Sequence, residues 1–363
     1  MVDTSTTSPP EPENRAAPVG RLFLTIFATA IVLCAAALAL PHNPYIRFQQ
    51  LAKTIQFGSQ WIYERVDLDP APIDVVIVGN SRLGAGVSGP QLQAALRQKT
   101  GDATLRVANV SMPQEGRNIH YVIVKRLLER HPEVKLIVLS AIEQMPRDGH
   151  PAFRDLADTG DVLGAPILIN RDYANDVGIL PYRQMSLFVQ TRWPGLFGDV
   201  TRLDPRLYRG TDFDQSATFR LPDGKIVDRD TIQDRARLAA TASERLRSIT
   251  RPLLPASAAD YEFAIERSYT RRIAAMARAR GVSVMFLYLP IYTDREKMGD
   301  LDFYQEIGPV LRPDFLDGDY RLYSDYAHLN RYGTAKATAW LADQIVALGN
   351  KGRIRRLTDR PAR

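Results

Sequence analysis

Two short segments of the chain carry residue types that together can transfer an acyl group. The first is GNSR (79–82), which contains Ser81, and a serine hydroxyl becomes an effective nucleophile only beside a base. The second is SDYAHLN (324–330), in which Asp325 precedes His328 by three residues. A histidine can accept the serine proton and return it to a leaving group, while a carboxylate orients the ring and stabilises the imidazolium. We predict that these three residues form a nucleophile, a base and an orienting acid.

Each segment alone also has a simpler interpretation. Serine and asparagine are common helix N-caps, so Ser81 could merely begin a helix. Asp325 and His328 could be a surface acid and a packing histidine before the last helix. The combination favours chemistry, because the chain has only five histidines and this one precedes the last predicted helix.

The elements that would position these segments follow from the hydrophobic pattern. Short β-branched runs that end at turn residues are typical of buried parallel strands, and apolar residues three and four apart are typical of helices. We predict strands at residues 73–78, 105–110, 135–139 and 282–289, and helices at 117–130, 259–280 and 331–348. This alternation predicts an α/β fold with a doubly wound parallel sheet, whose ligands bind beyond the carboxyl ends of the strands.

This α/β domain is expected to span residues 71–348, with one interruption. Residues 146–255 are rich in Pro, Gly, Asp and Arg and break the alternation of strands and helices. We interpret them as an insertion or cap over the sheet, containing a charged helix at 229–250.

The N-terminal region predicts a membrane anchor. Residues 22–40 are apolar except for two threonines, which is long enough for a helix to cross a hydrocarbon core of about 30 Å. Arginines before this run predict a cytoplasmic N-terminus and export of the remainder. We therefore expect a disordered tail at 1–18, an anchor at 19–41 and a connector at 42–70. The open alternative is a signal peptide cleaved after the Ala-Leu-Ala at 37–39.

Composition adds few further constraints. Lys and Arg number 47 against 41 Asp and Glu, an excess of six, part of which lies in a basic tail at 349–363. That tail either contacts an anionic surface or is solvated and disordered. Cys34 is the only cysteine, so no intrachain disulfide can form. We expect no metal, no cofactor and no nucleic-acid partner, because the sequence has no ligand spacing or aromatic–basic pattern for them.

The two motifs resemble those of the SGNH/GDSL hydrolase superfamily. The match lies in GNSR (79–82) and DYAHLN (325–330), and it extends in outline over 73–145 and 259–348. Within that superfamily the chain looks closest to membrane-tethered SGNH-like proteins of bacterial envelope polysaccharide O-acetylation. The exported anchor and the segment 109–113 both fit that group.

The resemblance implies a flavodoxin-like sheet, a triad of Ser81, His328 and Asp325, and an oxyanion hole that includes the Ser81 backbone N–H. It also implies a single-pass protein of the bacterial inner membrane with a periplasmic domain. The expected partners are the membrane, an acylated glycan or acyl donor, and a membrane acyltransferase.

The sequence departs from the family pattern around the site. Asn80 stands where an aspartate is usual, Gly116 is the candidate glycine of the second block, and the third block reads Glu143-Gln144 in place of an asparagine. Gln144 could donate to an oxyanion, and Arg82 could bind an anionic substrate or pair with an acid in the mouth of the sheet. Two hypotheses therefore stand: a serine acyl-ester enzyme, either esterase or O-acyltransferase, acting on an envelope glycan or glycolipid, and a degenerate SGNH-like protein for glycan binding or polysaccharide assembly.

Overall fold

A five-stranded parallel sheet forms the centre of the protein. The computed structural model describes residues 16–221, 224–249, 251–293 and 298–359. The strands are β1 (Val75–Val78), β2 (Val107–Asn109), β3 (Leu136–Ala141), β6 (Ser283–Tyr288) and β7 (Val310–Leu311), and a separate antiparallel hairpin consists of β4 (Phe219–Arg220) and β5 (Ile226–Val227). The sheet order is β2-β1-β3-β6-β7 with every neighbouring pair parallel. Counted along the chain this is the flavodoxin-like order 2-1-3-4-5, whose switch point lies between β1 and β3.

Helices connect these strands and cover both faces of the sheet. In chain order the α-helices are α1 (Ala16–Leu38), α2 (Pro44–Gln49), α3 (Ser59–Tyr63), α4 (Ser81–Gly86), α5 (Gly89–Thr100), α6 (Arg117–Arg130), α7 (Phe153–Leu156), α8 (Thr159–Leu163), α9 (Tyr173–Arg192), α10 (Pro194–Phe197), α11 (Arg235–Ser248), α12 (Ala259–Glu262), α13 (Ala264–Ala279), α14 (Leu301–Ile307) and α15 (Arg331–Asn350). A π-helix spans Glu64–Leu68, and 3₁₀ turns lie at Ala256–Ala258, Asp314–Leu316 and Tyr320–Leu322.

Alternation of side chains along the strands produces two cores. Val76 and Val78 of β1 face a core shared with α6 and α13, whereas Val75 and Ile77 face a core shared with α5 and α15. Because both faces are covered, the strands read as continuous apolar runs, as parallel strands usually do. The predicted α/β class and doubly wound parallel sheet are confirmed, although the strands are shorter than predicted at several ends.

Of the three helices predicted to alternate with the strands, one differs from the structure. The run 259–280 is divided into α12 and α13 at Phe263, which has a non-helical backbone (φ −108°, ψ 35°). Phe263 is buried in the core, so packing of its ring overrides the continuous helical pattern of the sequence. The other two predicted helices, 117–130 and 331–348, correspond to α6 and α15, which ends two residues later.

The N-terminal apolar run forms one helix, α1, of which Val19–Leu38 is long and apolar enough to cross a membrane. The disordered tail predicted at 1–18 lies outside the described residues except for 16–18, which belong to α1. The predicted connector, 42–70, packs into the core through Tyr45, Phe48 and Trp61. This segment is therefore part of the folded body.

Between β3 and β6 the described chain adds no strand to the main sheet. It contributes helices α7–α13 and the β4–β5 hairpin. The charged helix predicted at 229–250 is α11 (Arg235–Ser248), so that prediction is wrong for residues 229–234. The basic tail is folded as far as residue 359: Ile354 and Leu357 are buried, and Lys135 Nζ donates to the Leu357 carbonyl at 2.6 Å. The disordered interpretation of this tail is therefore wrong for residues 349–359.

Candidate active site

The turn after β1 places Ser81 at the first position of α4. Asn80 is the N-cap, and its Oδ1 accepts a hydrogen bond from the Arg82 backbone N–H at 3.0 Å. The simpler interpretation of Ser81 as a capping residue is therefore wrong, because its neighbour does the capping. A Cβ at Gly79 would lie 2.8 Å from both Ser140 Cβ and Leu83 Cδ2, so close packing between β3 and α4 favours glycine at this position.

The histidine segment is a tight loop before α15. An isolated bridge pairs Tyr323 with Leu329, and the Ser324 N–H donates to the His328 carbonyl at 3.0 Å. Asn330 caps α15 by accepting from the N–H groups of Tyr332 and Gly333, and its side-chain amide donates to the Arg321 carbonyl at 2.8 Å. The loop is thus closed at both ends by hydrogen bonds.

The structure brings the three predicted chemical groups into one hydrogen-bonded chain. His328 Nε2 lies 2.8 Å from Ser81 Oγ, and His328 Nδ1 lies 2.8 and 2.9 Å from the two carboxylate oxygens of Asp325. With Nδ1 protonated towards the carboxylate, Nε2 is the acceptor for the serine hydroxyl. These are the contacts needed for a base to deprotonate Ser81 while an acid holds the ring.

Asp325 is held in its ionised form. Burial opposes ionisation, but hydrogen bonds from His328 and from the N–H groups of Ala327 and His328 keep the pKa of Asp325 below its ordinary value. The side chains of Asp325 and His328 are 44% and 23% exposed, so the pair remains accessible from solvent. The carboxylate can therefore fix the tautomer of His328, while the pair stays accessible to a substrate.

Arg82 forms a buried ion pair beside the serine. Its guanidinium lies 2.7 and 2.9 Å from the two carboxylate oxygens of Glu143, and it donates to the Leu289 carbonyl at 3.4 Å. Despite burial, the charge of Arg82 lowers the pKa of Glu143, which favours the ionised pair. Of the two roles predicted for Arg82, the structure shows the second, an ion pair with an acid in the mouth of the sheet.

Gly116 and Gln144 lie on the loops that follow β2 and β3, at the same edge of the sheet as Ser81. Gly116 is the N-cap of α6 with φ of 142°, and a Cβ there would lie 2.2 Å from the His150 backbone nitrogen. Glycine is therefore required at this position for steric reasons. Gln144 lines a cavity of about 610 Å³ together with Glu115 and Glu143. The oxyanion roles predicted for both residues stay predictions.

The cavity lies at the ion pair of Arg82 and Glu143. Three acids and three arginines are among the described residues that line it: Glu115, Glu143, Asp148, Arg147, Arg171 and Arg245. Ser81 and His328 are not among the described lining residues. It connects with the serine turn through Glu143, which holds Arg82. A polar, charged chamber is thus linked to the serine turn through one ion pair.

A further segment of the site was not predicted from the sequence. Residues 229–233 cross the histidine loop through three hydrogen bonds: Arg331 N–H to the Arg229 carbonyl, Gln233 N–H to the Tyr323 carbonyl, and the Asn330 amide to the Thr231 carbonyl. Burial lowers the pKa of Arg229, against the charge of Asp325 nearby. Apart from the high charge of this region, the sequence carries no signal for these contacts.

Within the part of the chain that the structure describes, no group of three or more His, Cys, Asp or Glu residues is arranged to hold a metal ion. No protein-family model matches the chain, and no curated protein matches it significantly. The function is therefore inferred from the geometry of the site.

Proposed function

We propose that this protein is a serine acyl-ester enzyme with an SGNH-type fold, in which residues 146–255 form a cap beside the site. Ser81 is the nucleophile, His328 the general base and acid, and Asp325 the orienting acid. The observation that carries the proposal is the pair of contacts made by His328, 2.8 Å to Ser81 Oγ and 2.8 Å to Asp325.

The chemistry proceeds in two balanced halves. Ser81 Oγ attacks the acyl carbonyl as His328 Nε2 takes the hydroxyl proton, and the tetrahedral intermediate collapses when His328 protonates the departing alcohol. The acyl group is then bound to Ser81. Water or a sugar hydroxyl attacks this ester, gives its proton to His328, and the proton returns to Ser81 as the acid or the new ester leaves. The same intermediate thus serves esterase and transferase.

The backbone supplies the first oxyanion donor in this proposal. Ser81 is the first residue of α4, and N–H groups in the first turn of a helix have no acceptor within the helix. We assign further donor roles to the Gly116 backbone and the Gln144 amide on the neighbouring loops. One such donor is worth on the order of 10²–10³ in rate.

The proposed substrate is an acylated glycan or acyl donor of the bacterial envelope. The anchor α1 would hold the domain on the periplasmic side of the inner membrane, where a membrane acyltransferase could supply the acyl group. The charged cavity next to Glu143 offers hydrogen-bonding groups of both signs to a polar acceptor.

A degenerate, glycan-binding protein is the second candidate. The observation that favours it is the ion pair of Arg82 and Glu143. Glu143 stands just after β3, where the family has an amide donor. This arrangement leaves the amide function to Gln144 alone.

A serine-reactive fluorophosphonate probe separates the two candidates. The enzyme proposal expects covalent labelling of the full-length protein that is lost in Ser81→Ala. The matched control is Ser111→Ala, on the segment after β2. Its hydroxyl is buried and has no hydrogen-bond partner among the described residues, so its removal should leave labelling unchanged. If the wild type is not labelled while Ser81→Ala retains full function in cells, the degenerate candidate is the correct one.

A further inference from the structure

Helix α9 presents an apolar stripe to solvent. Its buried face includes Leu180, Gln184 and Leu187, which pack towards the body. The exposed face carries Tyr182, Met185, Val189 and, one residue past the helix, Trp193. These positions are three or four residues apart and so lie on one side of the helix. A helix on the surface of a soluble domain ordinarily directs polar residues outwards, so this stripe is unusual.

The short helix α10 extends the same surface. Trp193, Leu196 and Phe197 are between 52% and 81% exposed, and Phe197 lines a shallow depression with Tyr182 and Val189 of α9. We call these residues the α9–α10 surface, which consists of Tyr182, Met185, Val189, Trp193, Leu196 and Phe197. A contiguous apolar patch of this kind marks a site of contact with a protein or a membrane.

The position of α1 favours a membrane. The side-chain amide of Gln184 in α9 donates to the Leu38 carbonyl at the end of α1, at 3.3 Å. Residues 19–36 of α1 are exposed, and α1 contacts α9. The span Val19–Leu38 covers about 30 Å at 1.5 Å per residue, which matches a hydrocarbon core. If α1 crosses a bilayer, Leu38 lies at its boundary, and α9 lies at the depth of the headgroups.

Charge and aromatic residues agree with that depth. The Asn43 N–H donates to Thr191 Oγ1 at 2.9 Å, and its side-chain amide donates to the Thr201 carbonyl at 2.9 Å. Exposed arginines follow directly at 192 and 202, so two cations flank the point where the chain leaves α1. Trp and Tyr prefer the membrane–water interface, and arginines attract anionic lipid phosphates.

We propose that the α9–α10 surface rests on the bilayer leaflet at which α1 ends, with its apolar side chains among the acyl chains and Arg192 and Arg202 at lipid phosphates. This proposal depends on α1 crossing the membrane and is independent of the chemistry of Ser81. It gives the domain a fixed orientation, in which the α9 side of the body faces the lipid.

The test uses the full-length protein in lipid nanodiscs of phosphatidylethanolamine and phosphatidylglycerol. In a Cys34→Ser background, single cysteines at Val189→Cys and Leu196→Cys carry an environment-sensitive fluorophore, and doxyl-labelled lipid is the quencher. The matched control is Ala339→Cys, an exposed position on α15, which covers the opposite face of the sheet. We expect quenching at 189 and 196 to exceed that at 339 several-fold.

Equal quenching at all three positions, in variants with wild-type circular dichroism, would overturn the proposal. The proposal would also be overturned if the fluorophore at position 196 became shielded from solvent only after native membrane proteins were added, since the surface would then bind a protein. As a second measurement, Arg192→Gln with Arg202→Gln should reduce quenching in discs that contain phosphatidylglycerol, and should leave it unchanged in discs of phosphatidylcholine alone.

Discussion

The serine side of the candidate site is built into the core, whereas the histidine side is held by hydrogen bonds in a partly exposed loop. Ser81 follows a fully buried strand, and its neighbour Arg82 is tied to Glu143 beneath the surface. Asp325 and His328 sit in a loop closed by backbone bonds and by the crossing segment 229–233. A change at Arg82 or Glu143 should therefore affect stability together with activity, while a change at Asp325 or His328 should affect mainly activity.

The largest effect expected concerns the two reacting side chains. Ser81→Ala and His328→Ala should each reduce turnover of an activated acetyl ester on the order of 10⁴- to 10⁶-fold, because nucleophile and base act as one unit. The measurement is kcat for the two single variants and the double variant. The double variant should lose little more than either single variant, and additive losses would show that the two residues do not act together.

Asp325→Asn should have a smaller effect, on the order of 10⁴-fold in kcat, because the amide no longer fixes the required tautomer. Asn retains an oxygen that can accept from the N–H groups of Ala327 and His328, so the loop should remain closed. The thermal midpoint should consequently stay near the wild-type value. A large fall in the midpoint would contradict the distinction between the two sides.

Glu143→Gln, a change on the serine side, should show the opposite pattern: the folded protein should lose stability. Leaving Arg82 buried without its counter-charge should cost about 3–5 kcal/mol in the free energy of unfolding. Because the pKa of Glu143 is lowered in the folded state, its contribution is present above the unfolded value of about 4.3 and is lost as the pH falls through the folded value.

Denaturant titrations of the wild type and Glu143→Gln should therefore differ fully at pH 7. The difference should shrink as the pH falls below the unfolded value and vanish once the pH is below the folded pKa of Glu143. A control with both partners replaced, Arg82→Met with Glu143→Met, should recover much of the lost stability because no unpaired charge remains. A difference that does not change with pH would exclude the ion pair as the cause.

The smallest effect expected is at the two capping residues, one on each side of the site. Asn80→Ala and Asn330→Ala remove the caps of α4 and α15, and each should cost about 1–2 kcal/mol in stability. Asn330 also donates to the Arg321 carbonyl, so its variant should be the less stable of the two. Equal or reversed losses, measured by thermal unfolding, would show that the histidine loop is held by other contacts.

Four strands of the parallel sheet were predictable because they are largely buried on both faces and read as apolar runs. The fifth, β7 (Val310–Leu311), was not predicted, because it consists of two half-buried residues. The meeting of Ser81 with His328 was predictable for a related reason: both segments adjoin the carboxyl ends of the strands, where sites of doubly wound sheets form. The break at Phe263 and the packing of residues 42–70 were not predictable, because both depend on contacts with distant core residues.

The contribution of residues 229–233 lay beyond sequence reasoning for another physical reason. The segment contacts the histidine loop mainly through backbone carbonyl and N–H groups, which every residue type carries. The Arg82 partner was open at the sequence level because a buried acid and an anionic substrate would both satisfy a guanidinium. Only the position of Glu143 at the end of β3 decides between them.

The most direct test of the central claim is to trap the acyl group on the protein. Full-length wild type is mixed with an activated acetyl ester, quenched in acid within the first turnover, and digested for peptide mass mapping. We predict an acetyl ester on Ser81 that accumulates in the wild type and is strongly reduced in His328→Ala. Acetylation confined to other residues, or equal acetylation of Ser81 in both proteins, would contradict activation of this serine by its histidine neighbour.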